Sequence, residues 1–332
     1  MKQKVTTLQL RQRKSLPLEA KIQMSKLRIR QWHEYWDGDV CVSFSGGMDS
    51  TVLLHLVRSE YPNVPAIFID DLPYPEIKEH VKRTDNVMII RPQKRFPQVI
   101  AEYGYPIISK RTAQYIHEVR SAKGDTPTKR LRLTGIKSNG EFSKLSMIPH
   151  KWQYLCGAPF KISNRCCHWL KKKPLREARK EFGYPFVGTR VEEAQQREQA
   201  YLLYGCNAFD ISHPRSMPLA FWTDSDIWEY VRCFDVPYSG IYDMGYKRTG
   251  CFACMFGVHL EAEPNRFQRM QVTHPKLWQY CKAIGVPEVL DYIGVPYALR
   301  QLPLFEYSAS GLLISTFNGT MAEEETCEPI AR

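Results

Sequence analysis

The stretch DVCVSFSGGMDSTVLLHL, residues 39–56, decides the fold of this chain. It begins with a short apolar strand, continues into the turn SGGMDS and ends with apolar residues at helical spacing. A strand followed by a tight turn and a helix leaves backbone N–H groups free at a helix N-terminus, where the dipole also favours negative charge. Gly46 and Gly47 permit close approach of the backbone. Because Ser45 and Ser50 add hydroxyl donors, the stretch predicts an anion site.

Two common phosphate-binding patterns, GxxxxGK[ST] and GxGxxG, are absent from the chain. SGGMDS instead resembles the PP-loop of the adenine-nucleotide alpha-hydrolase superfamily, although Met48 replaces the usual Lys or Val. That resemblance implies a loop that grips a pyrophosphate or a sulfate. An ordinary Gly-Gly turn in an α/β protein is the alternative explanation of the same residues.

The length and composition are typical of a globular protein that does not span a membrane. Its 332 residues suffice for one large or two ordinary domains, and 43% of them are apolar and 24% charged. No apolar run approaches the roughly 18 residues that a membrane span needs. The N-terminus lacks the apolar core of a secretory signal, so we expect a cytoplasmic protein without a membrane partner.

The net charge of +11 indicates polyanionic partners, either nucleotides or nucleic acid. Residues 1–36 hold nine Lys/Arg and two Glu, so they contribute +7 of this charge. The pattern predicts a basic helix over about residues 18–36. Two interpretations of that helix stay open: a solvated helix packed on the domain edge, or a surface for nucleic acid.

Strand and helix patterns alternate after the glycine turn. Residues 64–70 and 87–90 are predicted strands, while residues 75–83 and 96–103 are predicted helices. The alternation predicts an α/β fold with a mostly parallel sheet covered by helices on both faces. Ligands of such sheets bind at the carboxyl ends of strands, where Asp70 lies. Asp70 would contact a ribose hydroxyl or a magnesium ion, or would merely cap the next helix.

Composition suggests three segments along the chain. Residues 1–37 form the basic helical segment, and residues 38–260 form the α/β domain, with a polar, lid-like insertion near residues 121–145. Residues 261–332 form a helical C-terminal extension that ends in an acidic tail.

Four of the ten cysteines predict a metal centre. Cys166 and Cys167 are adjacent, and Cys251 and Cys254 form the pair CFAC after 83 intervening residues. Four thiolates suit either zinc or an iron–sulfur cluster. Adjacent cysteines are expected to point in diverging directions, and this favours an iron–sulfur cubane, whose corners are farther apart than the ligands of one zinc ion. Zinc and buried structural cysteines remain the alternatives.

Several segments together resemble the phosphoadenylylsulfate (PAPS) reductase family of PP-loop proteins. The spacing of CC and CxxC is similar to the [4Fe–4S] signature of bacterial adenylylsulfate (APS) reductases. RCCHWLKKKPLREA, PLAFWTDSDIWEYV and IYDMGYKRTGCFACMFG resemble family segments, in the expected order, within residues 38–260. VGTRVEEAQQR does so too, with Ala194 in place of the usual serine.

The resemblance implies roles at matching positions. Arg190 and Arg197 would grip the anion, and if both were helical, their spacing of seven would place them on one face. The anion loop would consist of Ser45, Gly46, Gly47, Asp49 and Ser50, and the cluster ligands would be Cys166, Cys167, Cys251 and Cys254. The implied activity is reduction of APS or PAPS to sulfite, with thioredoxin or glutaredoxin as the thiol reductant.

The chain departs from the family at the attacking thiol. The family places this cysteine in a C-terminal Glu-Cys-Gly-Leu-His segment, which this sequence lacks. The candidate that remains is Cys327, although its four glutamate neighbours disfavour a thiolate and repel an anion.

This departure keeps two other functions open. One is an ATP-dependent sulfurtransferase that uses Mg²⁺ and modifies nucleic acid, as in DNA phosphorothioation or tRNA thiolation. The other is a non-catalytic sensor of nucleotide and redox state. The alternative interpretation of Arg190 and Arg197 is that they are surface arginines paired with Glu192 and Glu193. Loss of the function of Arg190 and Arg197 without loss of nucleotide binding would favour the sensor.

Overall fold

The computed structural model describes residues 3–298, which form eight strands and thirteen α-helices. The strands are β1 (Val40–Ser43), β2 (Ala66–Ile69), β3 (Val87–Ile90), β4 (Ile107–Ile108), β5 (Tyr184–Val187), β6 (Asn207–Ala208), β7 (Arg215–Ser216) and β8 (Met255–Phe256). The helices are α1 (Thr7–Lys14), α2 (Leu18–Tyr35), α3 (Met48–Glu60), α4 (Pro75–Arg83), α5 (Phe96–Tyr103), α6 (Lys110–Ser121), α7 (Pro127–Thr134), α8 (Lys173–Phe182), α9 (Gln195–Tyr204), α10 (Asp224–Cys233), α11 (Arg266–Thr273), α12 (Pro275–Ala283) and α13 (Val286–Tyr292).

Six strands form the central sheet in the order β3-β2-β1-β5-β7-β6. All neighbours pair in parallel except β6 and β7, which form an antiparallel edge. β1 lies in the middle, where Val42 pairs with Ala66 on one side and with Phe186 on the other. The α/β fold with a mostly parallel sheet, predicted from alternating patterns, is confirmed.

The order of the strands creates a crevice at β1. The chain first adds β2 and β3 on one side of β1 and then returns to add β5 on the other. At such a reversal the connections leave the sheet in opposite directions, and the space between them binds ligands. The SGGMDS turn follows β1, and Gly188 follows β5. A Cβ on Gly188 would lie only 3.0 Å from the Asp49 carbonyl oxygen, so the two strand ends approach closely.

The predicted basic helix forms as α2, and one of its faces is buried against α3 and α10. Trp32 is fully buried on that face, and the Lys21 ammonium contacts both carboxylate oxygens of Asp226 at 2.8 and 2.7 Å. Side chains from residues 3–37, from the sheet and from α11–α13 belong to one apolar core. The division into residues 1–37, 38–260 and 261–332 therefore stays a prediction from composition. No helix within residues 3–298 is long and apolar enough to cross a membrane.

Two short elements were not predicted. β4 and β8 form a separate two-stranded parallel sheet, in which Ile107 pairs with Met255. The predicted lid-like insertion contains α7, which packs on α6, and a bridge between Ile136 and Phe142. β4 and β8 hold only two residues each, too few to show a periodic pattern, yet they fix the segment beside Cys254.

Candidate anion loop and cysteine site

Hydrogen bonds within the turn give the anion loop its shape. The Ser45 N–H donates to Ser50 Oγ at 3.1 Å, and the Gly47 N–H reaches Ser45 Oγ at 3.3 Å. Ser50 Oγ donates to the Gly47 carbonyl at 2.8 Å. Gly46 has a φ of +70°, and a Cβ there would lie 2.8 Å from Ile77 Cγ2. The loop therefore needs glycine at this position for both its conformation and its packing.

Arg190 lies buried behind the loop, with 6% of its surface exposed. Its Nε donates to Asp49 Oδ1 at 2.8 Å, and its Nη2 donates to Asp224. Glu192 lies 3.5 Å from its Nη1. Burial raises the pKa of Asp49, while the charge and hydrogen bond of Arg190 oppose that rise. Three carboxylates thus engage this guanidinium, which ties the end of β5 to the first turn of α3.

Arg197 stands in more open surroundings. Its side chain is 40% exposed and pairs with Glu193. Burial lowers the pKa of Arg197, Asp49 raises it, and the positive charges of Arg248 and Arg190 lower it further. Three guanidinium groups therefore lie near one another beside the loop, an arrangement that a bound anion would stabilise.

Arg190 and Arg197 are not both helical, so the condition for a shared helix face is not met. Arg190 has extended backbone angles and precedes a short helical turn, Val191–Glu193. The chain is extended again at Ala194, and α9 begins only at Gln195. The two arginines still converge on Asp49 because the break folds the chain back.

Two hydroxyl residues that sequence reasoning missed also contact the loop. Tyr242 Oη accepts a hydrogen bond from the Met48 N–H at 2.6 Å. Thr249 Oγ1 would lie 2.7 Å from a Cβ on Gly47 and is 3.3 Å from Tyr242 Oη. Both belong to the segment IYDMGYKRTG, whose family resemblance drew attention to the cysteines that follow rather than to these hydroxyls.

Asp70 occupies the predicted position at the carboxyl end of β2. Its Oδ1 lies 2.8 Å from Lys78 Nζ, so the carboxylate is paired with a cation of α4. The suggestion that it caps this helix is wrong, because the N-cap of α4 is Tyr74. A role toward a ribose hydroxyl or a magnesium ion stays a prediction.

The four predicted cysteine ligands lie in one neighbourhood. Cys166 and Cys167 have their sulfurs 4.0 Å apart, closer than the expected divergence. The charge of either member of the later pair, Cys251 or Cys254, would raise the pKa of Cys166. Within residues 3–298, no three Cys, His, Asp or Glu side chains are grouped as a single metal ion requires.

Basic residues and one acid surround these thiols. The Cys166 thiol donates to Cys167 and lowers the Cys167 pKa to about 6, with Lys110, Lys171 and Lys172 adding to the effect. Lys171 Nζ also lies 3.3 Å from Asp71 Oδ2. The Cys251 thiol donates to the same oxygen at 2.9 Å, and burial raises the pKa of Cys251. Four thiols with compensating cations form a donor set that suits either zinc or an iron–sulfur cluster.

The remaining sequence prediction concerns Cys327 as the attacking thiol. Cys327 lies outside residues 3–298. Cys206 and Cys281 are buried, and burial raises the pKa of each thiol, to about 11 and about 12. These two cysteines therefore belong to the core.

Comparison with known proteins agrees with the motifs. The model of the phosphoadenosine phosphosulfate reductase domain matches residues 39–120 and 109–256, which together span more than half of the chain. The chain belongs to this family. As a member, it is an enzyme, either a sulfonucleotide-reductase-like oxidoreductase or a PP-loop sulfurtransferase.

Similar proteins include adenosine 5'-phosphosulfate reductases from two bacteria. That of Lysinibacillus sphaericus is 24% identical over 69% of this chain and 78% of its own length. That of Staphylococcus epidermidis is 24% identical over 68% of this chain and 74% of its own length. The solved phosphoadenylyl-sulfate reductase of Candida auris aligns at 15% identity with a TM-score of 0.41, covering 76% of this chain and 98% of that one.

Proposed function

We propose that this enzyme binds a sulfonucleotide, APS or PAPS, at the anion loop and reduces it to sulfite in the cytoplasm. The observation that carries the proposal is the distance between the loop and the cysteines. Thr249 lies against Gly47, and Cys251 follows only two residues later. Two consecutive Cα–Cα steps span at most about 7.6 Å, so the anion and the thiol group share one site.

The reaction requires a thiolate, an anion grip and a dithiol reductant. The thiolate attacks the sulfate sulfur and forms an S–S bond, while the S–O bond to the nucleotide phosphate breaks and its electron pair leaves with AMP, or with the 3'-phosphorylated AMP of PAPS. A dithiol then attacks the cysteine sulfur of this S-sulfocysteine, releases sulfite and becomes a disulfide. The sulfate sulfur is reduced by two electrons, which the dithiol supplies.

The residues beside the loop supply binding and orientation. Backbone N–H groups at the start of α3 and the exposed Ser45 would face the anion. The buried Ser50 hydroxyl instead donates to the Gly47 carbonyl and shapes the loop. Arg197 is the guanidinium better placed to bind an oxyanion, because its single pair with Glu193 is partly exposed whereas Arg190 is buried and engaged by three carboxylates. Arg190 therefore acts as a positioning residue that holds Asp49 and the end of β5.

The cysteines would hold a [4Fe–4S] cluster through Cys166, Cys167, Cys251 and Cys254. When bound, such a cluster would add a polarising metal centre next to the anion. Lys171, paired with Asp71, lies close enough to both Cys251 and Cys167 to influence them electrostatically and would offset their negative charge. Outside the proposed ligands, Cys41, Cys206 and Cys281 are buried in the core, and Cys156 and Cys233 are half-buried near apolar segments. The attacking thiol is therefore assigned to Cys327.

The test is sulfite release by anaerobically purified full-length protein given APS or PAPS with reduced thioredoxin. We expect sulfite and the nucleotide product in equal amounts, with loss of turnover in Cys327→Ser. A protein that contains iron and sulfide but yields no sulfite from either nucleotide would contradict the proposal. Full activity of Cys327→Ser would remove only Cys327 from the mechanism.

A further inference from the structure

The Tyr242 hydroxyl lies beside the position that an anion bound in the loop would occupy. Its hydroxyl oxygen accepts the Met48 N–H at 2.6 Å, and Met48 is the first residue of α3. This N–H is one of the helix donors that point toward a bound anion. A hydroxyl with its oxygen on this donor therefore lies at the edge of the anion position.

The proton of this hydroxyl is available to a ligand. The oxygen accepts from Met48, so the O–H bond points elsewhere, either toward Thr249 Oγ1 at 3.3 Å or into the loop. The distance to Thr249 is long for a hydrogen bond between hydroxyls. Burial also raises the pKa of Tyr242, which keeps the phenol protonated and able to donate.

The surroundings hold Tyr242 in this position. Its ring packs edge-on against Trp228 of α10 and against Tyr238, with ring centroids 6.0 and 6.3 Å away. Next in the same segment come Arg248, whose charge reaches Arg197, and Thr249, which touches Gly47. The segment thus brings a hydroxyl donor and a guanidinium to the open side of the loop.

We propose that Tyr242 contacts the substrate, its hydroxyl donating a hydrogen bond to an oxygen of the sulfate or phosphate that the loop holds. The inference rests on the proposed function for the identity of the nucleotide, but the contact itself requires only a tetrahedral oxyanion. A purely structural role, in which the hydroxyl caps α3, would affect stability without affecting affinity.

The experiment compares wild-type full-length protein with Tyr242→Phe by isothermal titration calorimetry. The probes are adenosine, AMP, APS and inorganic pyrophosphate, and melting curves record stability. We expect Tyr242→Phe to bind AMP, APS and pyrophosphate about tenfold more weakly, with unchanged affinity for adenosine. Tyr238→Phe is the control, because its ring packs against that of Tyr242 but its hydroxyl donates to Asp243 at 3.0 Å.

Each other outcome has a definite meaning. Equal affinity of Tyr242→Phe and wild type for all anionic probes would overturn the inference, and tighter binding by Tyr242→Phe would show that the hydroxyl competes with the anion instead. Failure of the wild type to bind any anionic probe would overturn it as well. Weakened binding of pyrophosphate alone, with no nucleotide binding, would support Tyr242 and contradict the sulfonucleotide function.

Discussion

Arg190 and Arg197 carry the same charge in different surroundings, and this difference predicts different effects of substitution. Arg197→Gln should weaken APS binding by about tenfold or more while changing the free energy of unfolding by less than about 1 kcal/mol, because its pairing with Glu193 is partly exposed. Arg190→Gln should cost about 2–4 kcal/mol of stability, since it removes a buried guanidinium and leaves the half-buried Asp49 without its partner.

Calorimetric titration with APS and urea unfolding distinguish these two effects. The prediction for Arg197 would be contradicted by unchanged affinity. The prediction for Arg190 would be contradicted by a variant as stable as the wild type, because such a result would mean that the carboxylates around Arg190 need no cation.

The Lys21–Asp226 pair predicts a large stability effect far from the site. Lys21 is 2% exposed, and Asp226 also accepts hydrogen bonds from the N–H and hydroxyl of Thr223. Asp226→Ala would leave a buried ammonium unpaired and remove an N-cap partner of α10, so we expect a loss of about 3–5 kcal/mol in urea unfolding. Glu79→Ala removes an exposed pair with Arg83 and should cost less than about 1 kcal/mol. Equal losses in the two variants would refute this account.

At the scale of elements, the anion loop depends on a glycine with two separate constraints. Gly46 and Gly245 both have positive φ, +70° and +78°, but only Gly46 has a neighbour that a Cβ would strike. Gly245→Ala should therefore cost about 1–2 kcal/mol of backbone strain, and Gly46→Ala should cost more because Ile77 must also move. Thermal unfolding gives the comparison, and pyrophosphate binding should be lost in Gly46→Ala alone. Retained binding in that variant would show that the loop tolerates a side chain.

Sequence reasoning succeeded for elements whose pattern is local. The predicted strand at 87–90 and the helices at 75–83 and 96–103 coincide with β3, α4 and α5, because their apolar spacing and first-turn prolines lie within a few residues. The site residues found this way, such as Gly46 and the cysteines, also stand in contiguous motifs. Tyr242 was missed because its contact with Met48 joins residues 194 positions apart, and no local spacing encodes it.

At the scale of the whole molecule, the proposed cluster would join two segments that the sheet does not connect directly. Cys166 and Cys167 precede α8, which packs on β1 and β2, whereas Cys254 precedes β8, whose partner is β4. One buried and three half-buried cysteines converge here with their cations, and desolvation of their thiolates would be costly unless a ligand bound among them. The convergence of these groups therefore destabilises the ligand-free fold, and a bound ligand would offset that cost.

This argument predicts that cluster removal destabilises the entire chain. Anaerobic preparations should contain about four iron and four acid-labile sulfide per chain, and removal of the metal should lower the melting temperature by several degrees, because binding to the folded state alone stabilises it. Cys251→Ser should lose iron, whereas Cys156→Ser should retain it, because Cys156 lies outside the proposed ligand set. Stoichiometric zinc without sulfide, or a melting temperature that does not change with metal content, would contradict the prediction. Asp71, whose Oδ2 lies 2.9 Å from the Cys251 sulfur, would then be a structural partner of a reduced thiol.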